Sequence, residues 1–140
     1  MDVDFASCLV FNTRLAARAV IRHGDDMLRP YGVTSAQFQL LGGLRRAGPE
    51  GRNVTELAAE NGLDRTSLTR SLDRLEEMGL IQSRPAAHGN GRLCTLTPAG
   101  EAMFEQLVPV WVRAQSEMRA LFSESDFSTT LRALKRLSRV

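Results

Sequence analysis

The sequence predicts a mainly helical chain, six helices interrupted once by a two-stranded β-hairpin. Three observations carry that reading. Apolar residues recur at three- and four-residue spacing along most of the chain, the pattern of helices with one buried face. Capping residues stand ahead of these runs at Thr34, Thr55, Asp64 and Thr97. A single strong cluster of hairpin-turn residues, His88-Gly89-Asn90-Gly91, separates two short β-prone segments.

The first helix runs from about Phe5 to Leu28, with Phe5, Cys8, Leu9, Leu15, Ala16 and Ala19 as its apolar stripe. Pro30 stops it and Gly32 follows. Thr34, three residues before Gln37, makes a capping box for a helix to about Arg46, and Gly48-Pro49-Glu50-Gly51 is a loop. Thr55 caps a short helix over Glu56 to Glu60, which Asn61-Gly62 ends. Asp64 caps the next, from Arg65 to Met78, which Gly79 closes. Leu80 to Arg84 and Arg92 to Leu96 are the two strands. Thr97-Pro98 opens a long helix carrying Phe104, Leu107, Val108, Trp111, Met118, Leu121 and Phe122, with Pro109 predicting a kink. Trp111 reads as core. After a break at Ser123 to Ser125, Phe127, Leu131, Leu134 and Leu137 line one face of a final helix.

Composition bounds the function. At 140 residues the chain fits one domain, and 43% apolar with 24% charged content is ordinary for a soluble globular protein. No apolar run approaches ~20 residues and the N-terminus, Met1-Asp2-Val3-Asp4, is acidic, which argues against a membrane span or signal peptide. The cytoplasm is the default compartment. Cys8 and Cys94 make neither a disulfide framework nor a metal knuckle. No His-Glu-x-x-His pattern, phosphate-binding glycine loop or cluster of acid–base groups points to an enzyme, a metal or a cofactor. The net charge of +2 permits nucleic-acid binding without requiring it. Only Lys135 of the 18 basic residues is a lysine. Arginine suits phosphate and guanine recognition, although a GC-rich coding sequence gives the same skew.

The informative stretch is Val54 to Leu96. Leu57 and Ala58 face inward, Gly62 permits a tight turn, and Leu68, Leu72 and Leu75 form the buried stripe of the following helix. Its other face shows Arg65, Thr66, Thr69, Arg70, Asp73 and Arg74, small hydroxyls and arginines that suit a major groove. Its N-terminus offers N–H groups to a phosphate. From Asp64 to Arg92 five arginines face four acids, so a solvated, salt-bridged face fits the same pattern. The combination of short helix, glycine turn, hydroxyl-rich helix and adjoining hairpin favours a winged helix-turn-helix.

The run Glu56-Leu57-Ala58, Leu63 to Glu76 and Gly79-Leu80-Ile81 closely resembles the recognition segment of MarR-family transcription regulators. Leu96-Thr97-Pro98-Ala99-Gly100, and Leu28 to Thr34 with Gln37-Phe38, extend the likeness over essentially the whole chain. The resemblance implies a homodimer that binds a pseudo-palindromic double-stranded DNA operator, a repressor released by a small-molecule effector. Residues 1–33 and 98–140 would be dimerisation helices and 34–97 the winged helix-turn-helix. Thr66, Ser67, Thr69 and Arg70 would face the major groove, with Gln37 and Arg74 nearer the phosphates.

The family wing carries an Asp and, two residues on, an Arg; here those slots hold His88 and Asn90. Arg92 is the nearest replacement on the wing and Arg84 lies on the other strand, so the resemblance implies altered minor-groove contact, with His88 adding pH dependence. Small aromatic anions bind many members between the dimer helices and the DNA-binding lobe, which makes Arg14, Arg18 and His23 candidates for effector contact. One branch senses peroxide through a cysteine in the first helix. Cys8 lies nearby, but alignment on Ala17-Arg18 puts the sensing slot at Val10. A redox-sensing repressor, or an interaction module with weakened DNA binding, are the alternatives.

Overall fold

Helix α1 (Leu9–Leu28) starts later than its apolar pattern, because Asp4 first caps a 3-10 turn over Phe5–Ser7 by accepting the Ala6 N–H at 3.0 Å. The computed structural model describes residues 1–88 and 91–140. Pro30 sits in a second 3-10 turn, Arg29–Tyr31, and Gly32 turns the chain with φ +76°. Helix α2 (Ser35–Ala47) then begins on the predicted capping box. Thr34 Oγ1 accepts the Gln37 N–H at 3.2 Å, and Gln37 Oε1 accepts the Thr34 N–H at 2.9 Å.

After a 3-10 turn at Gly48–Glu50, two residues form a strand that the sequence does not announce, β1 (Arg52–Asn53). The cap of α3 (Val54–Asn61) is Asn53 rather than the expected Thr55. Asn53 Oδ1 accepts the Glu56 N–H at 2.8 Å and Glu56 returns a contact to the Asn53 N–H at 3.2 Å. A carboxylate three residues on completes the box at Asn53, which decides between the two caps. Helix α4 (Arg65–Glu77) starts at Asp64 as expected, and β2 (Ile81–Pro85) and β3 (Arg92–Leu96) form the hairpin. The sheet has three strands, not two, in the order β1-β3-β2, all antiparallel. Gly51 makes the third strand possible, since a Cβ there would lie 2.4 Å from the Cys94 carbonyl oxygen.

Helix α5 (Pro98–Arg119) is capped by Thr97, whose hydroxyl accepts the Gly100 N–H at 3.0 Å and donates to the Gly79 carbonyl at 2.7 Å. The helix continues through Pro109 without a break. Helix α6 (Glu124–Leu137) follows the Ser123 cap. The core joins Leu40, Leu41 and Leu44 of α2, Leu57, Leu68, Leu72 and Leu75 of the helix-turn-helix, Ile81 and Cys94 of the sheet, and Leu107 of α5. Each such side chain contributes about 1.5–3 kcal/mol by burial, so the predicted α4 stripe anchors the helix.

The terminal helices differ. α1 packs on α5 and α2, but Leu9, Val10, Leu15, Val20 and Ile21 remain exposed. Leu131, Leu134 and Leu137 of α6 are also open, as are Leu121 and Phe122. Trp111, expected in the core, is 44% exposed in the single subunit, its ring tilted against Phe38 at a centroid distance of 6.4 Å.

Candidate nucleic-acid interface

Burying Leu68, Leu72 and Leu75 turns the opposite side of α4 outward. Arg65, Thr66, Thr69, Arg70, Asp73, Arg74 and Glu77 border one open surface there. Its acids are engaged: Asp73 pairs with Arg92 at 2.8 Å, and Glu77 with Arg74 at 3.5 Å. Among the described residues, no carboxylate lies in ion-pair distance of Arg65 or Arg70. The face therefore carries two uncommitted guanidiniums beside two exposed threonine hydroxyls.

Ser67 stands at the edge of this face. Its N–H and hydroxyl both donate to the Asp64 carboxylate, each at 2.8 Å. These bonds, the backbone one first, hold the Asp64 carboxyl below its ordinary value. The Asp64 carboxylate thus already takes up one of the N–H groups expected to be offered to a phosphate at this helix start.

Gln37 is placed differently from the expected phosphate contact. It is only 6% exposed and its side-chain oxygen is committed to the α2 cap. The amide is buried because the capping box needs it folded back. Arg92, the expected stand-in for the wing arginine, is held within the protein as well. Instead of projecting from the wing, its guanidinium turns onto α4 and donates to Ser83 Oγ, Asp73 Oδ1 and Glu76 Oε2, each at 2.8 Å. Burial works against the Arg92 charge, but the Asp73 hydrogen bond and the neighbouring acids raise it above its usual value. Arg84 sits on β2 opposite Leu93 and alternates with Ser83, so it points away from α4 into solvent. His88 is exposed beyond β2, and Asn90 lies outside the described residues.

The effector candidates do not converge. Arg14 lies over the Phe11 ring at 5.9 Å, and Arg14 and Arg18 are both exposed on α1. His23 instead joins Ala19, Val20, Glu117, Met118 and Leu121 in a groove of about 370 Å³. Its buried Nε2 lies 2.9 Å from Glu117 Oε2 without the alignment of a hydrogen bond. The sequence reading missed a second groove of about 430 Å³, where Phe38, Phe104 and Trp111 meet Gln39, Arg46 and Asn61. The spacing of Phe104, Val108 and Trp111 on α5 is the one sequence signal that could have shown it. Cys8 is half-buried ahead of α1. Cys94 is fully buried, and burial pushes its thiol up. Among the described residues no group of histidine, cysteine and acid side chains could hold a metal, and no helix is long and apolar enough to cross a membrane.

A family model described as "MarR family" matches residues 31–89, from the turn before α2 to the hairpin. The HTH-type transcriptional regulator PecS of Dickeya dadantii (strain 3937) is 30% identical over 137 residues, 95% of this chain and 81% of PecS. This chain belongs to the MarR family. Solved family structures share the fold over nearly the full length. The transcriptional regulator MosR of M. tuberculosis in complex with DNA is 30% identical, with a TM-score of 0.80 over 95% of this chain and 97% of that one. A mutant MarR of E. coli complexed with operator DNA is 26% identical, with a TM-score of 0.83 over 96% and 99%. The chain is thus a MarR-type transcription regulator, a mainly α winged helix whose sheet is one strand larger than the hairpin read from the sequence.

Proposed function

We propose that the chain binds a pseudo-palindromic double-stranded DNA operator as a homodimer and represses transcription until a small aromatic or anionic effector releases it. The observation that carries this reading is the outward face of α4, where the side chains of Thr66, Thr69, Arg65 and Arg70 stand free of partners among the described residues. Short hydroxyls allow a helix to sit deep in a major groove, and uncommitted arginines reach guanine edges or phosphates. Arg74, partly held by Glu77, serves the phosphate backbone, and Arg84 supplies cationic charge from the wing. Ser67 supports the helix start more than it reads bases. The DNA complexes of MosR and of mutant MarR support the same use of this fold.

Residues 34–97 form the DNA-binding lobe and 1–33 with 98–140 the dimerisation helices in this reading. The open apolar side chains of α1, the end of α5 and α6 support it, because faces of that kind are covered in oligomers. Effector binding draws on the grooves beside these helices, where His23 and Trp111 lie. A regulator of this kind acts on the chromosome, in the cytoplasm.

Binding-site selection on random duplexes, followed by mobility shifts, tests the proposal. Enrichment of a two-fold related sequence is the expected result. Absence of any specific shift at low salt, with and without reductant, would overturn it in favour of an interaction module.

A further inference from the structure

The wing and α4 are joined by a polar clamp that nothing in the helix-turn-helix pattern requires. Arg92 lies at the first position of β3, paired with Pro85, and the Ala86 N–H to Gly91 carbonyl bond at 2.8 Å closes the hairpin just beyond it. Its three guanidinium nitrogens go to three different residues: Nε to Ser83, Nη1 to Asp73 and Nη2 to Glu76. Glu76 in turn accepts the Ser83 N–H at 3.0 Å and the Ser83 hydroxyl at 3.2 Å. One arginine and one glutamate thus bind both strands of the wing to two successive turns of α4.

The arginine of the clamp is more enclosed than those of the other ion pairs among the described residues. The Arg92 side chain is 23% exposed, against 42% or more for every other arginine in an ion pair of the described residues. Three short bonds to a planar fork fix orientation as well as distance, which an ammonium cannot do. Asp73 also stands on the open face with Arg70 and Arg74. Unpaired, its charge would oppose phosphates within about a Debye length, ~10 Å at 0.1 M salt.

We infer that Arg92 is a positioning residue: it sets the angle of the wing against α4 and removes Asp73 and Glu76 from the field that DNA meets, without touching DNA itself. This rests on the DNA-binding reading above for its consequence, but the clamp itself belongs to the free protein. A wing held in this way needs no arginine at its tip to be ordered for docking.

The test compares wild type, Arg92→Ala, Arg92→Lys, and Arg92→Ala combined with Asp73→Asn and Glu76→Gln. Amide hydrogen exchange is read in the free protein, and affinity for the selected operator and for a random duplex at fixed salt. The clamp predicts that Arg92→Ala speeds exchange in 81–85 and 92–96 by tenfold or more and leaves Leu40, Leu41 and Leu44 protected. Operator affinity falls by tenfold or more and the preference over random duplex shrinks. The triple variant regains random-duplex affinity while its wing stays unprotected and its preference stays low. Arg92→Lys recovers charge and therefore random-duplex affinity, but only part of the wing protection.

Unchanged exchange in Arg92→Ala, with an affinity loss that the triple variant does not relieve, would overturn the inference and make Arg92 a direct contact. General loss of protection, including Leu40 to Leu44, in both the Ala and the Lys variants would also overturn it, as a role in folding only. A wild-type chain that shifts no duplex would sink the DNA-binding reading instead, and the exchange arm would then decide the clamp alone.

Discussion

The arginines of α4 and the arginine at the base of the wing share one surface but do opposite things. Arg65 and Arg70 extend from a helix whose other side is fully buried, and no acid holds them among the described residues. Arg92 lies across from them and is turned inward by three partners. Basic residues near a recognition helix are therefore not interchangeable. Some are available to a ligand, and some exist to shape the surface that the others use.

Three substitutions and a titration probe that contrast, and the first has the largest effect. Leu72 is fully buried at the centre of α4, so Leu72→Ala should cost about 2–5 kcal/mol of stability in chemical denaturation. A smaller loss would mean that α4 can shift on its core, and that its outward face is not rigidly presented. Arg70→Ala comes next. It should leave the melting temperature close to wild type and reduce operator affinity by about 1–3 kcal/mol if Arg70 reads a base edge. A drop of equal size on random duplex would assign Arg70 to the phosphates instead.

Gln37→Ala sharpens the comparison from the other side. Loss of the buried cap should lower stability by about 1 kcal/mol, and operator affinity of the folded protein should not change. A selective loss of affinity would return Gln37 to the DNA interface. The smallest effect is a pH effect. The Asp64 carboxyl is held below its ordinary 3.8 by Ser67, so its stabilisation of α4 is fully present above that value. It is lost as the pH falls through the lower folded value. Acid titration of wild type against Asp64→Asn should show the curves converging only at that acidic end, and a difference that persists unchanged to lower pH would contradict the assignment.

The sequence made the local half of this architecture readable. Thr34 with Gln37, Asp64 and Thr97-Pro98 act within four residues of themselves, and each cap lies where the pattern puts it. The Leu68, Leu72 and Leu75 stripe follows from helix geometry alone. The failures have tertiary causes. β1 has only two residues, too few for an alternating pattern, and exists because β3 is beside it. Asn53 and Thr55 are both good caps, and the choice depends on Glu56 reaching back. The partners of Arg92, Asp73 and Glu76, are 19 and 16 residues away in sequence, beyond the reach of a local pattern. Trp111 has the hydrophobicity of a core residue but lies on a groove of the single subunit, a placement that helical spacing cannot distinguish.

The central claim is that the outward face of α4 reads DNA sequence. Parallel binding-site selection with wild type and Arg70→Ala tests it most directly. The account predicts a two-fold related consensus for wild type, and a relaxed preference at corresponding positions of both half-sites for the variant. An input library left unenriched by wild type, or the same consensus from both proteins, would contradict it.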